Sequence, residues 1–168
     1  MNTTKVIFTT SNKLLSRIIR YVTGSEFSHV ALLIDKNFIL HSSVNQGVRI
    51  SAGQFQNRTG VNLMSKDDFL DHGNTIVHSI DVTNRMTHRV MDDIIPCVTA
   101  KKSIYDTPAL IFLGIAMLAH KFLGTPMPRK NYWQSSGAMM CTEFVTQHVF
   151  GEVDSLITPQ ELYEKLKD

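Results

Sequence analysis

The hydrophobic period of this chain changes once, near Val82, and that change most limits what it can fold into. Before it, apolar residues alternate or run in short branched blocks; after it, they recur at the spacing of a helix face. KVIFTT (5–10), SHVALLI (28–34), FILHSS (38–43) and TIVHSIDV (75–82) are the expected strands. Asp35-Lys36-Asn37 makes the second and third a hairpin, and Asn45-Gln46-Gly47 turns again into VRIS. Residues 51–73, rich in Gly, Asn, Asp and Ser, are expected as loop with a short edge element around VNLM. One helix interrupts the strands. It follows Ser11, faces Leu14, Leu15, Ile18, Ile19 and Val22 inward, and ends at Thr23-Gly24-Ser25.

After Val82, Thr83 caps a helix with Met86, Val90, Ile94 and Val98 on one face, which Pro96 must kink or end. A second helix covers 108–123, a loop covers 125–138, and CTEFVTQHVF is a third helix with Phe144, Val145, His148 and Val149 inward. Thr158-Pro159-Gln160-Glu161 opens a short last helix. Strands mostly first and helices mostly after is the order of an α+β fold, a mostly antiparallel sheet packed against helices.

Composition removes several function classes. At 168 residues, with 43% hydrophobic and 19% charged, the chain reads as one globular domain over 1–168. A net charge of +2 with scattered basic residues argues for no nucleic-acid partner. Cys97 and Cys141 are too few for a disulfide framework. The opening MNTTKVIFTTSNKLL lacks the order of a secretory signal, so the cytoplasm is the default location. The most apolar run, ALIFLGIAMLA (109–119), is about half the roughly 20 residues a membrane span needs and is expected as a buried core helix.

Cys141 falls at a helix start, where unpaired N–H groups and the macrodipole favour an anion and lower a thiol's pKa. A nucleophilic thiol needs a base, and the base an orienting partner. His29 begins one hairpin strand and His41 ends its partner, so cross-strand pairing can set the two imidazoles on one face. Other readings stay open: a small buried cysteine, structural strand histidines, or a metal site of Cys141, His29 and His41. The twelve-residue gap between the histidines lacks the short spacing of zinc motifs, so neither metal nor cofactor is expected.

TGSEFSHVALLI, FILHSSVNQGVRI, YDTP, MCTEFV and ITPQELY stand in an order that resembles the circularly permuted papain-fold hydrolases of the NlpC superfamily. The resemblance covers roughly residues 5–165 and implies a permuted papain-like fold with a triad: Cys141 as nucleophile, His29 as base, His41 as orienter. It places Tyr105 on the cleft, with Ser28 and Glu143 as further substrate-side residues; Glu143 also suits the first turn of its helix. The implied activity is a cysteine peptidase or amidase, cleaving a peptide or cell-wall peptide stem through a thioester. One alternative is a lipid acyl hydrolase or acyltransferase similar to lecithin:retinol acyltransferase, with helix 108–123, Met127, Tyr132 and Trp133 toward lipid. Another is a binding module that keeps the triad without using it. The loop PRKNYWQSSG matches nothing assignable, and the sequence does not speak to oligomeric state.

Overall fold

The computed structural model describes residues 4–51, 54–82, 105–128, 130–133, 138–152 and 156–167, with 45–51 and 54–58 as backbone alone. The helix expected from Thr83, with His88, Pro96 and Cys97, lies outside the described residues, as do Arg129 and residues 134–137 of the unassigned loop.

Five strands, β1 (Thr4–Ser11), β2 (His29–Ile34), β3 (Phe38–Ser51), β4 (Gln54–Ser65) and β5 (Asn74–Asp81), form one sheet in the order β4-β3-β2-β1-β5. Each described ladder is antiparallel. The helices are α1 (Leu14–Thr23), α2 (Lys66–Asp71), α3 (Thr107–Leu123), α4 (Cys141–Phe150) and α5 (Pro159–Lys167). The architecture is α+β.

The β2–β3 hairpin follows from its turn. Asp35 and Lys36 both have positive φ, 50° and 65°, and Asn37 N–H donates to Ile34 O at 3.2 Å. Two successive left-handed residues match the twist of the flanking strands. Beyond the turn the strand is longer than its sequence suggests. FILHSS and VRIS are one strand, shifted in register between Ser43 and Gln46, and residues 54–65 form its full-length partner. The expected turn at Asn45-Gln46-Gly47 and the expected loop over 51–73 are therefore corrected: pairing supplies partners to polar backbone that has little apolar pattern of its own. Residues 66–71 add a helix capped by Ser65, whose Oγ accepts from Asp68 N–H at 3.0 Å.

Strand alternation divides the core between the sheet faces. Val6, Phe8, Val30, Leu32 and Leu40 face Phe144, Val145 and Val149 of α4 and Leu162 and Leu166 of α5. Ile7, Ala31, Leu33 and Ile39 face the other way, onto Phe69 of α2. A third cluster, Tyr105, Ala109, Leu113 and Met140, joins α3 to the entry of α4.

Two helices face differently from the expectation. In α1 only Ser16 is buried, and Leu14 is 71% exposed. Of the apolar run in α3 only Ala109 and Leu113 are buried; Ile111, Ile115, Phe122 and Leu123 lie open. Both apolar stripes border a hollow and the surface around it, in place of the sheet core. Among the described residues no helix is long and apolar enough to cross a membrane.

Candidate active site

The ladder between β2 and β3 runs from Ile34–Phe38 to Leu32–Leu40 and stops, although β2 continues back to His29. The chain entering α4 is fastened to both strands beyond that point. Ser42 Oγ of β3 donates to Met139 O at 2.7 Å, and the Cys141 sulfur takes a backbone hydrogen bond from Val30 of β2. Met140 is extended, Cys141 is the first helical residue, and Glu143 accepts from Met140 N–H at 2.6 Å. That last bond satisfies a donor every helix start leaves unpaired. The sequence CTE thus fixes where the thiol sits.

Cys141 is buried. Burial pushes its thiol up, while backbone hydrogen bonds from Val30, Thr142 and Cys141 itself, and one from the Tyr105 hydroxyl, pull the other way and lose. The expectation of a thiolate activated by its helix is corrected here. A helix start is worth about 0.3–1 kcal/mol at an exposed site, and removing a charge from water costs more than that. The resting group is a neutral thiol. Tyr105 is buried beside it, and its phenol is held well above the ordinary value by burial, then by Cys141, Glu143 and Asp106. It is a neutral donor at the sulfur.

His29 Nε2 and His41 Nδ1 are 3.0 Å apart, with the rings nearly perpendicular at 82°. His41 comes one residue past the last β2–β3 pair, so it meets His29 diagonally instead of directly opposite. Both rings lie on the α2 side against Phe69, at 6.4 Å and 5.3 Å between centroids. His29 keeps part of its surface on the cleft; His41 is 1% exposed. Burial, and then Lys13, bring His29 down to about 4. His41 is lowered well below its ordinary value by burial, then by His29, His72 and Lys13. Both imidazoles are neutral at pH 7.

The thiol and the imidazole pair open on adjoining hollows. Cys141 lines a cavity of about 230 Å³ with residues of α1 and α3. His29 and His41 line one of about 110 Å³ with Lys13, Ser43 and Asn74. Leu15, Ile19, Ser28 and Tyr105 belong to both walls. Among the described residues no hydrogen bond runs from the sulfur to either ring.

Of the other sequence candidates, Ser28 sits on the shared wall with its Oγ 2.6 Å from Ser16 Oγ. Tyr105 reaches the sulfur. Glu143 has no exposed surface and lines neither hollow, so its place is the helix start. Tyr132 and Trp133 are exposed and pack on Phe112 of α3. Met127 rests half-buried on the Tyr105 cluster. His78 is a surface residue 4.0 Å from Glu26, because its strand is the sheet edge. Lys13 and His72 act on the histidine pair and were not legible; a lysine at a helix start and a histidine in a polar stretch carry no such signal. Among the described residues no group of three or more His, Cys, Asp or Glu could hold a metal ion.

No protein-family model, curated protein or solved structure matches the chain.

Proposed function

We propose that this chain is a cysteine hydrolase of permuted papain-like fold, with Cys141 as nucleophile, His29 as base and His41 as orienter. The observation that carries the reading is the parting of β2 from β3 beyond Leu32–Leu40. The thiol's helix is fastened there to both strands, and the two imidazoles meet there at 3.0 Å.

In the working tautomer His29 Nε2–H donates to His41 Nδ1, which leaves the His29 Nδ1 lone pair free to take a proton. The resting thiol and imidazole are both neutral, so the proton moves as the sulfur attacks and not before. Attack on a substrate carbonyl forms the S–C bond of a thioester, and His29 passes the thiol proton to the leaving group. Water, losing a proton to the same imidazole, then splits the thioester into the acid and the free thiol. The N–H groups of Cys141 and Thr142 and the Tyr105 hydroxyl are the donors available to a developing oxyanion. Resting catalytic contacts are commonly long and tighten only around substrate, which accords with an unjoined thiol and imidazole.

The test is to trap the thioester. Brief exposure to an activated acyl ester, acid quench and peptide mass analysis are expected to place one acyl group on Cys141, and none in Cys141→Ser. Acylation spread over lysines, with Cys141 unmodified, would overturn the proposal.

A further inference from the structure

The smaller hollow, on the histidine side of the site, gathers hydrogen-bond donors and no negative charge. None of the residues lining it is Asp or Glu, and Lys13 stands on its wall. The Lys13 cation is felt inside, since it helps to lower both His29 and His41. Ser43 is 8% exposed and His41 1%, and neither Ser43 Oγ nor His41 Nε2 has a partner. In the tautomer given above His41 Nε2 carries a proton, so both groups are donors without an acceptor.

The serine pair on the same wall adds to this. Ser16 Oγ accepts from Ser11 N–H at 3.0 Å and lies 2.6 Å from Ser28 Oγ. That short contact uses one of the two hydroxyl protons, and the other has no acceptor among the described residues. Lys13 also immediately precedes α1, whose first turn contains no acidic side chain. Buried donors are nearly always paired in folded proteins. Here they line one space of about 110 Å³, and a group bringing acceptors and negative charge would satisfy them together.

We infer that this hollow is a carboxylate subsite, and that the substrate is an amide whose amine side carries a free carboxylate, as in the last residue of a peptide. This rests on the thiol reading given above. His29 delivers the thiol proton to the leaving amine, so that amine comes to the edge of the hollow. In an α-amino acid the carboxylate stands one carbon from the amine nitrogen, which carries it inside. The S–C bond forms, the acyl C–N bond breaks, the thiol proton ends on the amine nitrogen, and a free amino acid leaves. One lysine offsets one negative charge, which suits a carboxylate better than a phosphate group at about −1.5 to −2. Once bound, the carboxylate opposes the Lys13 field at the rings and strengthens His29 as a base.

Binding is read without the thiol by following the His29 and His41 ring signals by NMR in Cys141→Ser at pH 7. Acetate is titrated at constant ionic strength against its neutral isostere acetamide and against inorganic phosphate. Acetate is expected to shift both rings saturably, and acetamide is not. Ser43→Ala is expected to weaken acetate about tenfold, the loss of one hydrogen bond to a charged group. Lys13 is exposed and tolerant of change, and Lys13→Gln is expected to weaken acetate about threefold. Equal shifts from acetate and acetamide overturn the inference, as does tighter binding of phosphate or acetate affinity unchanged in Lys13→Gln. Should Ser43→Ala fail to fold, Lys13→Gln and the acetamide comparison decide.

A second arm measures release of glycine from N-acetyl-leucyl-glycine, and of glycinamide from the matching amide, by the intact chain. The free acid is expected to be favoured about tenfold in kcat/KM, and Lys13→Gln to narrow that ratio about threefold. Acetate binding with neither peptide cleaved would retain the subsite and defeat the thiol reading. Equal turnover of the two peptides would retain the thiol and defeat the subsite.

Discussion

Acid is expected to destabilise this fold through its buried histidines, and His29 allows the size to be worked out. Its proton affinity falls from the ordinary 6.5 to about 4 on folding. An unfolded chain therefore takes up a proton between those values that the folded chain refuses, and stability is lost as the pH drops through 6.5 toward 4. At about 1.4 kcal/mol per tenfold change in affinity, the full effect is about 3 kcal/mol, of which about 2 kcal/mol is gone by pH 5. His41, lowered for the same first cause, adds to it with the same sign. With a urea dependence of about 2 kcal/mol per molar for a chain of this size, His29 alone should move the midpoint by about 1 M between pH 7 and 5. Carboxylates contribute over the same range, so the comparison is with His29→Gln, in which the acid-induced shift should shrink by that amount. Equal shifts in the two proteins would refute the reasoning, because the His29 ring would then be titrating as it does in water.

Removing the helix-start carboxylate in Glu143→Ala should cost about 2 kcal/mol, from a lost cap and an orphaned Met140 N–H. That corresponds to a fall of about 4–8 °C in Tm by calorimetry, whereas Glu143→Gln, which keeps an acceptor, should lose less than half as much. Tyr105→Phe removes the hydroxyl at the sulfur. A hydrogen bond to a charged group is worth about 1.5–3 kcal/mol, so the alkylation midpoint of Cys141 should rise by about one pH unit or more. His41→Ala should leave binding of substrate analogues intact while slowing Cys141 acylation, since it frees the His29 ring to turn; the split between KM and kcat is the measurement.

Parts of this molecule are written in short stretches of sequence and parts are not. Asp35-Lys36-Asn37 announces its hairpin, and because all three residues lie in the loop between the paired Ile34 and Phe38, both histidines fall on one face. The diagonal meeting of the rings does not follow from the turn, because register depends on where the β2–β3 ladder ends. Cys-Thr-Glu marks the start of α4 through the capping role of Glu143, a local property. The depth of Cys141 is a property of Val30 and Tyr105 brought from elsewhere, so the pattern pointed to an activated thiol where burial yields a protonated one. Residues 54–62 carry too few apolar side chains to announce a strand; their order comes from backbone pairing with β3. The stripes on α1 and α3 were legible as amphipathic helices, but a stripe that lines a cavity looks the same as one that enters the core.

The central claim is that His29 takes the Cys141 proton, and the pH dependence of Cys141 acylation by an activated ester tests it most directly, with the intact chain set against His29→Ala. The account predicts a rate that rises through about pH 4, where the His29 ring becomes neutral, and stays level through neutrality. In the variant the plateau should vanish, leaving a rate that climbs only as the thiol itself ionises, above the ordinary 8.5 or so. The same curve for both proteins would contradict it, because the imidazole would then have no part in moving the proton.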